Sequence, residues 1–294
     1  MFHKVLVATD GHDGGLDAVA LARQLVASDG ELVLAHVHAG YPLVAKAETG
    51  DYERVLRDDA ETLLAQASEQ TGIHARVLHA ASSVGRGLHE LAERESADLV
   101  VVGSTRRGPA ARVLIGDDTR DTLRAARGAV AVAPAGYAQR AHAIGKIGVA
   151  FDTSPESRGA ADAARDLAAS LHAKLSAIEV LDIPMYIFYS SRPREGTPAL
   201  DPAKLAANDI SELGEFQPDV RFGYVEDELA KASRTVDLLV MGSRSLGRVR
   251  RLVNASVSQG VARRTLCPLL VLTDCASQVH NTPSQTHQPA LVDS

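Results

Sequence analysis

At 294 residues the chain is long enough for two ordinary domains, and 45% hydrophobic with 23% charged residues is the balance of a globular protein. A net charge of −6 argues against a general nucleic-acid binder, and 4% aromatics with no Trp leaves few platforms for stacking bases. Two cysteines, Cys267 and Cys275, exclude a disulfide scaffold; with no apolar run of membrane-spanning length and no basic-then-apolar start, they predict a cytoplasmic protein.

In chain order, short apolar runs alternate with stretches of helical period. The runs Val5–Ala8, Leu32–Val37, Val77–Leu78, Leu99–Val102 and Ala129–Ala133 suit strands buried on both faces of a parallel sheet. Between them, Ala18, Leu21, Ala22 and Leu25 form one helical stripe, and Leu56, Ala60, Leu63, Leu64 and Ala67 form another. Pro134–Gly145 interrupts the pattern, and it then starts again. Ala160, Ala163, Ala164, Leu167 and Leu171 repeat the first stripe. Residues 184–204 carry four prolines and read as a long loop. The second half reads as shortened around Val220–Leu229, where its third strand runs almost directly into a helix. Residues 275–294, rich in Ser, Gln, Thr, His and Pro, read as disordered.

The restart is a true repeat. Lys4-Val5-Leu6-Val7-Ala8-Thr9-Asp10 matches Lys146-Ile147-Gly148-Val149-Ala150-Phe151-Asp152 at Lys, Val, Ala and Asp. Asp98-Leu99-Val100-Val101-Val102-Gly103-Ser104 is echoed by Asp237-Leu238-Leu239-Val240-Met241-Gly242-Ser243, after which Gly108 and Gly247, and Arg112 and Arg251, fall at equal offsets. The expected architecture is α/β: two tandem, doubly wound, parallel five-stranded sheets of Rossmann-like type. The first copy spans 1–141, the second 142–274, and the tail 275–294.

In such sheets ligands bind beyond the carboxyl ends of the strands. Asp10 and Asp152 end the first strands, Gly103-Ser104 and Gly242-Ser243 end the fourth, and Gly116-Asp117-Asp118-Thr119 and Ala255-Ser256-Val257-Ser258 precede the last helices. Strand-end glycines let backbone N–H groups approach a phosphate, and a helix start adds free donors.

These features together resemble the universal stress protein family in its tandem form, over nearly the whole chain. The family's nucleotide-binding pattern is Gly, two residues, Gly, nine residues, then Gly followed by Ser or Thr. The first copy reads Gly103-Ser104-Thr105-Arg106, nine residues, Gly116-Asp117; the second reads Gly242-Ser243-Arg244-Ser245, nine residues, Ala255-Ser256. Val102–Pro109 and Val149–Glu156 also look like stretches of tandem members. The resemblance implies ATP or another adenine nucleotide as ligand, with Mg2+ as its companion. The implied contacts are Asp10, Gly103, Gly108, Gly116 and Thr119 in the first copy, and Asp152, Gly242, Ser243, Arg244, Gly247, Ser256 and Ser258 in the second. It also implies edge-to-edge pairing of last strands, hence an intramolecular pseudo-dimer and a further homodimer.

The departures divide the copies. Asp117 and Asp118 stand where hydroxyls would meet phosphate; a carboxylate about 4 Å from a phosphate charge costs roughly 1 kcal/mol in water and about 4 at an effective dielectric near 20. They read better as helix N-caps. The second copy keeps Ser256 and Ser258 and crowds Arg244, Arg248, Arg250 and Arg251 into one loop, suited to phosphate or simply a solvated basic face. His36 and His38 share a strand face without a visible third metal ligand, Cys267 reads as a small buried residue, and Asp10-Gly11-His12-Asp13 is not the His-x-Gly-His signature of nucleotidyl transfer. No nucleophile, base and oxyanion-hole set is placed by the sequence. The leading expectation is therefore a stress-response module that binds an adenine nucleotide without substantial turnover. The alternatives are an interaction scaffold with degenerate sites and, ranked lower, a weak ATPase.

Overall fold

The computed structural model describes residues 1–39, 50–106, 113–114, 122, 128–140, 142–181, 201–243 and 257–273. The first copy runs β1 (Phe2–Ala8), α1 (Asp13–Leu25), β2 (Val26–Ala39), α2 (Gly50–Thr71), β3 (Arg76–Ala81), α3 (Val84–Glu95), β4 (Leu99–Gly103), the small pair β5 (Thr105–Arg106) and β6 (Val113–Leu114), and β7 (Ala129–Ala133). A short helix α4 (Tyr137–Arg140) leads into the second copy: β8 (Lys146–Ala150), α5 (Pro155–Leu171), β9 (Lys174–Leu181), α6 (Pro202–Ser211), β10 (Gln217–Phe222), α7 (Val225–Ala232), β11 (Leu238–Ser243), α8 (Val257–Ala262) and β12 (Leu269–Thr273).

Each copy lays its five long strands in the order third, second, first, fourth, fifth, all parallel. The second copy repeats the arrangement as β10-β9-β8-β11-β12. The last strands of the two copies then pair antiparallel, Leu269 opposite Val132 and Val271 opposite Val130, so all ten long strands form one sheet. The pairing closes two edges that would otherwise expose unpaired N–H and C=O groups.

Val5, Leu6 and Val7 in β1, and Leu238, Leu239 and Val240 in β11, have no solvent exposure, because helices cover both faces of the sheet. On one face the stripes expected in α1 and α5 pack with Leu64 of α2 and Ile210 of α6; on the other lie Leu88 and Leu91 of α3, Leu229 of α7 and Val261 of α8. Both apolar layers draw residues from both copies.

Two sequence expectations are corrected. The loop read over 184–204 ends at Asp201, since Pro202 opens α6. Proline suits the first helical position, whose N–H has no intrahelical partner, and Asp201 Oδ1 accepts the Ala203 N–H at 3.1 Å. The shortening expected around Val220–Leu229 falls in the helix and not in the strand. β3 and β10 both have 6 residues, and two residues separate each from its helix; the shorter element is α7, with 8 residues against 12 in α3. The rest of that loop, and the tail 275–294, lie outside the described residues.

The repeated aspartates are structural. Asp98 accepts the N–H groups of His3 (2.7 Å) and Lys4 (3.0 Å), tying the entry of β4 to the start of β1. Asp237 accepts the Gly145 N–H at 3.0 Å and does the same for β11 and β8. Between the copies, Asp17 of α1 is 1% exposed, and its two oxygens accept the N–H groups of Gly136 and Ala138, each at 2.7 Å. Next to this clamp, the buried Tyr137 hydroxyl accepts from Gln24 at 2.8 Å, and burial pushes its pKa up to about 12.

Asp17→Ala would leave the part-buried N–H groups of Gly136 and Ala138 without their acceptor. Urea denaturation should show a loss of about 2–4 kcal/mol at unchanged m-value; a loss below about 0.5 kcal/mol would mean that the clamp carries no stability.

Candidate functional site

The strands of each copy end on one side of the sheet, and the crevice lies where the order reverses between first and fourth strands. The first copy brings Asp10, at the exit of β1, and Gly103, at the end of β4, to that place. Asp10 Oδ1 accepts the His12 N–H at 3.1 Å, Thr9 Oγ1 accepts the Gly11 N–H at 3.2 Å, and Gly11 takes φ +77°. Asp10 is exposed, so the same carboxylate that shapes the turn also faces solvent. The ring of His36 bonds through Nδ1 to the Thr9 carbonyl at 2.7 Å; a carbonyl only accepts, so Nδ1 carries the proton.

The second copy rebuilds this turn with other chemistry. Asp152 Oδ1 accepts the Ser154 N–H at 3.1 Å and its hydroxyl at 2.5 Å, and Ser154 Oγ in turn caps α5 by accepting the Ser157 N–H at 3.2 Å. His12, at the same place before α1, makes no side-chain cap. Thr153 takes the left-handed backbone, φ +64°, that Gly11 supplies in the first copy. A β-branched residue there is strained by roughly 1–2 kcal/mol, and the surrounding hydrogen bonds hold it.

The strand-end glycines have a packing reason that the sequence did not show. A Cβ at Gly103 would overlap the backbone carbonyl of Gly14 in α1, and one at Gly242 would overlap that of Glu156 in α5. The first turn of each first helix therefore rests on the end of the fourth strand, and only glycine lets it approach. Beside Gly103, Ser104 is 1% exposed; its N–H donates to the Ala133 carbonyl at 2.9 Å, and its hydroxyl finds no partner among the described residues. Ser243 ends β11 half-buried, and Ser258 is buried within α8. Gly108, Gly116, Thr119, Arg244, Gly247 and Ser256 lie outside the described residues, as do Asp117, Asp118, Ala255 and the other loop arginines.

Sequence reasoning also missed Glu179. The Thr9 N–H donates to Ala35 and the Phe151 N–H to Ile178, both at 2.9 Å, so Glu179 in β9 takes the place that His36 has in β2. Burial, then the charges of Asp209 and Asp152, raise its pKa. The glycine and hydroxyl motifs follow the first, fourth and last strands, and no motif marks the end of β9. The result is an electrostatic contrast: an imidazole next to Asp10, a half-buried carboxyl near Asp152.

The other candidates settle simply. His36 and His38 share a face, but among the described residues no three of His, Cys, Asp and Glu converge on a metal position. Burial, above all, pushes the Cys267 thiol up to about 12, far from a reactive thiolate. Between α1 and α2, beside the exit of β1, lies a cavity of about 70 Å³ bordered by Thr9, Gly11, His12, Leu63 and Gln70. Small-molecule sites usually offer roughly 300–1,000 Å³. Among the described residues no helix is long and apolar enough to cross a membrane.

Two substitutions probe this arrangement. Gly103→Ala should cost about 1–3 kcal/mol in urea denaturation, through overpacking against α1; a neutral result would remove the packing role. For Glu179, the fold holds the proton more tightly than the unfolded chain does, so stability falls as pH rises from the ordinary carboxyl range through the raised value. Glu179→Gln should thus stabilise the protein at pH 7 and change little below about pH 4; equal effects at both pH values would contradict this.

The sequence pattern of the Universal stress protein family matches the chain twice, over residues 1–134 and 143–273. Among solved structures, the fold is similar to that of a universal stress protein from Archaeoglobus fulgidus DSM 4304, at 18% identity and TM-score 0.65, over 92% of this chain and 98% of that one. It is likewise similar to that of a putative universal stress protein from Pseudomonas aeruginosa UCBPP-PA14, at 18% identity and TM-score 0.63, over 95% of this chain and 96% of that one. With both halves matched and the duplicated five-strand order in place, the chain belongs to the universal stress protein family, in a tandem form.

Proposed function

We propose that this protein is a stress-response regulator that binds an adenine nucleotide, with ATP the leading candidate, beyond the strand ends, and does so without substantial turnover. The observation that carries the reading is the duplicated crevice: a solvent-facing aspartate at the exit of the first strand, beside the glycine end of the fourth, at the point where the strand order reverses. That is where open α/β sheets take their ligands. The two units are 1–141 and 142–274, acting as an intramolecular pair in a cytoplasmic protein able to form a homodimer. Mg2+ would travel with the phosphates.

The copies are unequal in this reading. The first presents an imidazole, His36, whose free nitrogen is an acceptor when the ring is neutral. The second presents the carboxyl of Glu179 near Asp152, which opposes an anionic ligand. Glu179 also favours the second reading for its own copy, a site that has lost its ligand and serves as scaffold. On this contrast the nucleotide reading expects one occupied site per chain, in the first copy, against the sequence expectation, in which Asp117 and Asp118 burden the first copy while Ser256, Ser258 and the loop arginines favour the second.

Calorimetric titration of the full-length protein with ATP, with and without Mg2+, tests this. The expected stoichiometry is near one, and at a hundredfold excess over Kd the stabilisation of about 2.7 kcal/mol should raise Tm by roughly 5–10 °C. No heat and no shift at millimolar ATP would discard the nucleotide reading; a stoichiometry of two would discard the inequality of the copies.

A further inference from the structure

The segment that joins the copies carries a histidine whose hydrogen-bond partners favour its protonated form. His142 Nε2 lies 2.8 Å from Asp237 Oδ1, and Nδ1 lies 3.3 Å from the backbone carbonyl of Arg140. A carboxylate and a carbonyl only accept hydrogen bonds. A neutral imidazole has one N–H and can serve one of these oxygens; it would turn a lone pair towards the other. Only the imidazolium, with two N–H groups, satisfies both. We propose that His142 and Asp237 form a proton-operated latch on the joint between the copies, closed with His142 as imidazolium and released when it loses its proton.

The latch has something to hold. The second Asp237 oxygen accepts the Gly145 N–H at 3.0 Å, and the Asp237 N–H donates to the Lys146 carbonyl at 2.8 Å, so one residue gathers His142, Gly145 and Lys146 at the entry of β11. The first copy provides the comparison. There Asp98, at the matching position, is held by the backbone N–H groups of His3 and Lys4, neither of which titrates. The second copy adds a titratable partner to the same aspartate.

The charged groups around the ring are few. On its own segment, the Arg140 guanidinium turns back onto the carbonyls of Ala135 and Gly136, at 2.9 and 3.0 Å. Lys146 stands exposed at the start of β8. From the entry of β11 comes Asp237, the charged group that acts on His142, while the buried Tyr137 and Cys267 sense Asp237 instead. The bond to Asp237 above all raises the His142 pKa from 6.5. Burial opposes the Asp237 charge, yet the His142 and Gly145 hydrogen bonds outweigh it and lower that pKa. The sign follows: the latch is closed below about pH 6.5, down to the acid range below the usual carboxylate value where Asp237 itself takes a proton, and is lost as pH rises through the raised His142 value.

Nitrogen-detected NMR of the full-length protein tests the latch. At pH 6 both His142 ring nitrogens should carry protons, the midpoint should lie above the ordinary histidine value, and Asp237→Asn should return it towards that value. The Gly145 amide, corrected for intrinsic exchange, should lose protection severalfold with the same midpoint, and His142→Gln, at an exposed position, should abolish the step. A midpoint that Asp237→Asn leaves in place, or Gly145 protection indifferent to the titration, would overturn the proposal. If Asp237→Asn does not fold, the His142→Gln exchange profile decides by itself.

Discussion

The antiparallel pairing of β7 with β12 is the contact around which the molecule is organised. Each copy alone would end in an apolar strand with a bare edge: Ala129–Ala133 in one, Leu269–Thr273 in the other. Joined at Val130–Val132 and Leu269–Val271, they satisfy each other's backbone groups and bring two apolar layers into register across both copies. The pairing also sets how the joint can run. The chain leaves β7 at the centre of the sheet and enters β8 beyond two intervening strands, β12 and β11, by way of α4. Asp17 from the first copy and Asp237 from the second hold its two ends.

The same parallel arrangement makes the crevice. Strands covered on both faces leave only their ends available for chemistry, and the first helix must turn immediately after the first strand to cover the fourth. That turn passes so close to Gly103 and Gly242 that a methyl group does not fit. A glycine motif that reads as phosphate recognition is thus, at its first position, also a packing requirement.

Duplication leaves the two crevices free to diverge. The turn after the first strand needs a left-handed residue in both copies; Gly11 meets the need without strain, Thr153 meets it with strain, and Ser154 and Ser157 supply the hydrogen bonds that hold it. One step into the second strand, His36 and Glu179 give the equivalent places opposite electrostatic character. Neither change disturbs the shared sheet, because strand-end residues point beyond the core.

Much of this was legible in the sequence. The repeat of Lys4–Asp10 in Lys146–Asp152, the period-3.6 stripes and the Val-rich runs specified five strands per copy, because buried parallel strands and amphipathic helices leave distinct apolar spacings. Asp10, Asp152, Gly103 and Gly242 could be placed at strand ends for the same reason. What the tertiary structure decided are relations between residues far apart in the chain: the antiparallel register in which β7 meets β12, that Gly103 meets Gly14 and Gly242 meets Glu156, that Glu179 sits near Asp152, and that Asp17 and Asp237 hold the joint. Local spacing encodes which face of an element is apolar; it does not encode which carbonyl, carboxylate or edge another element will bring against it, since that depends on the packing of the whole sheet.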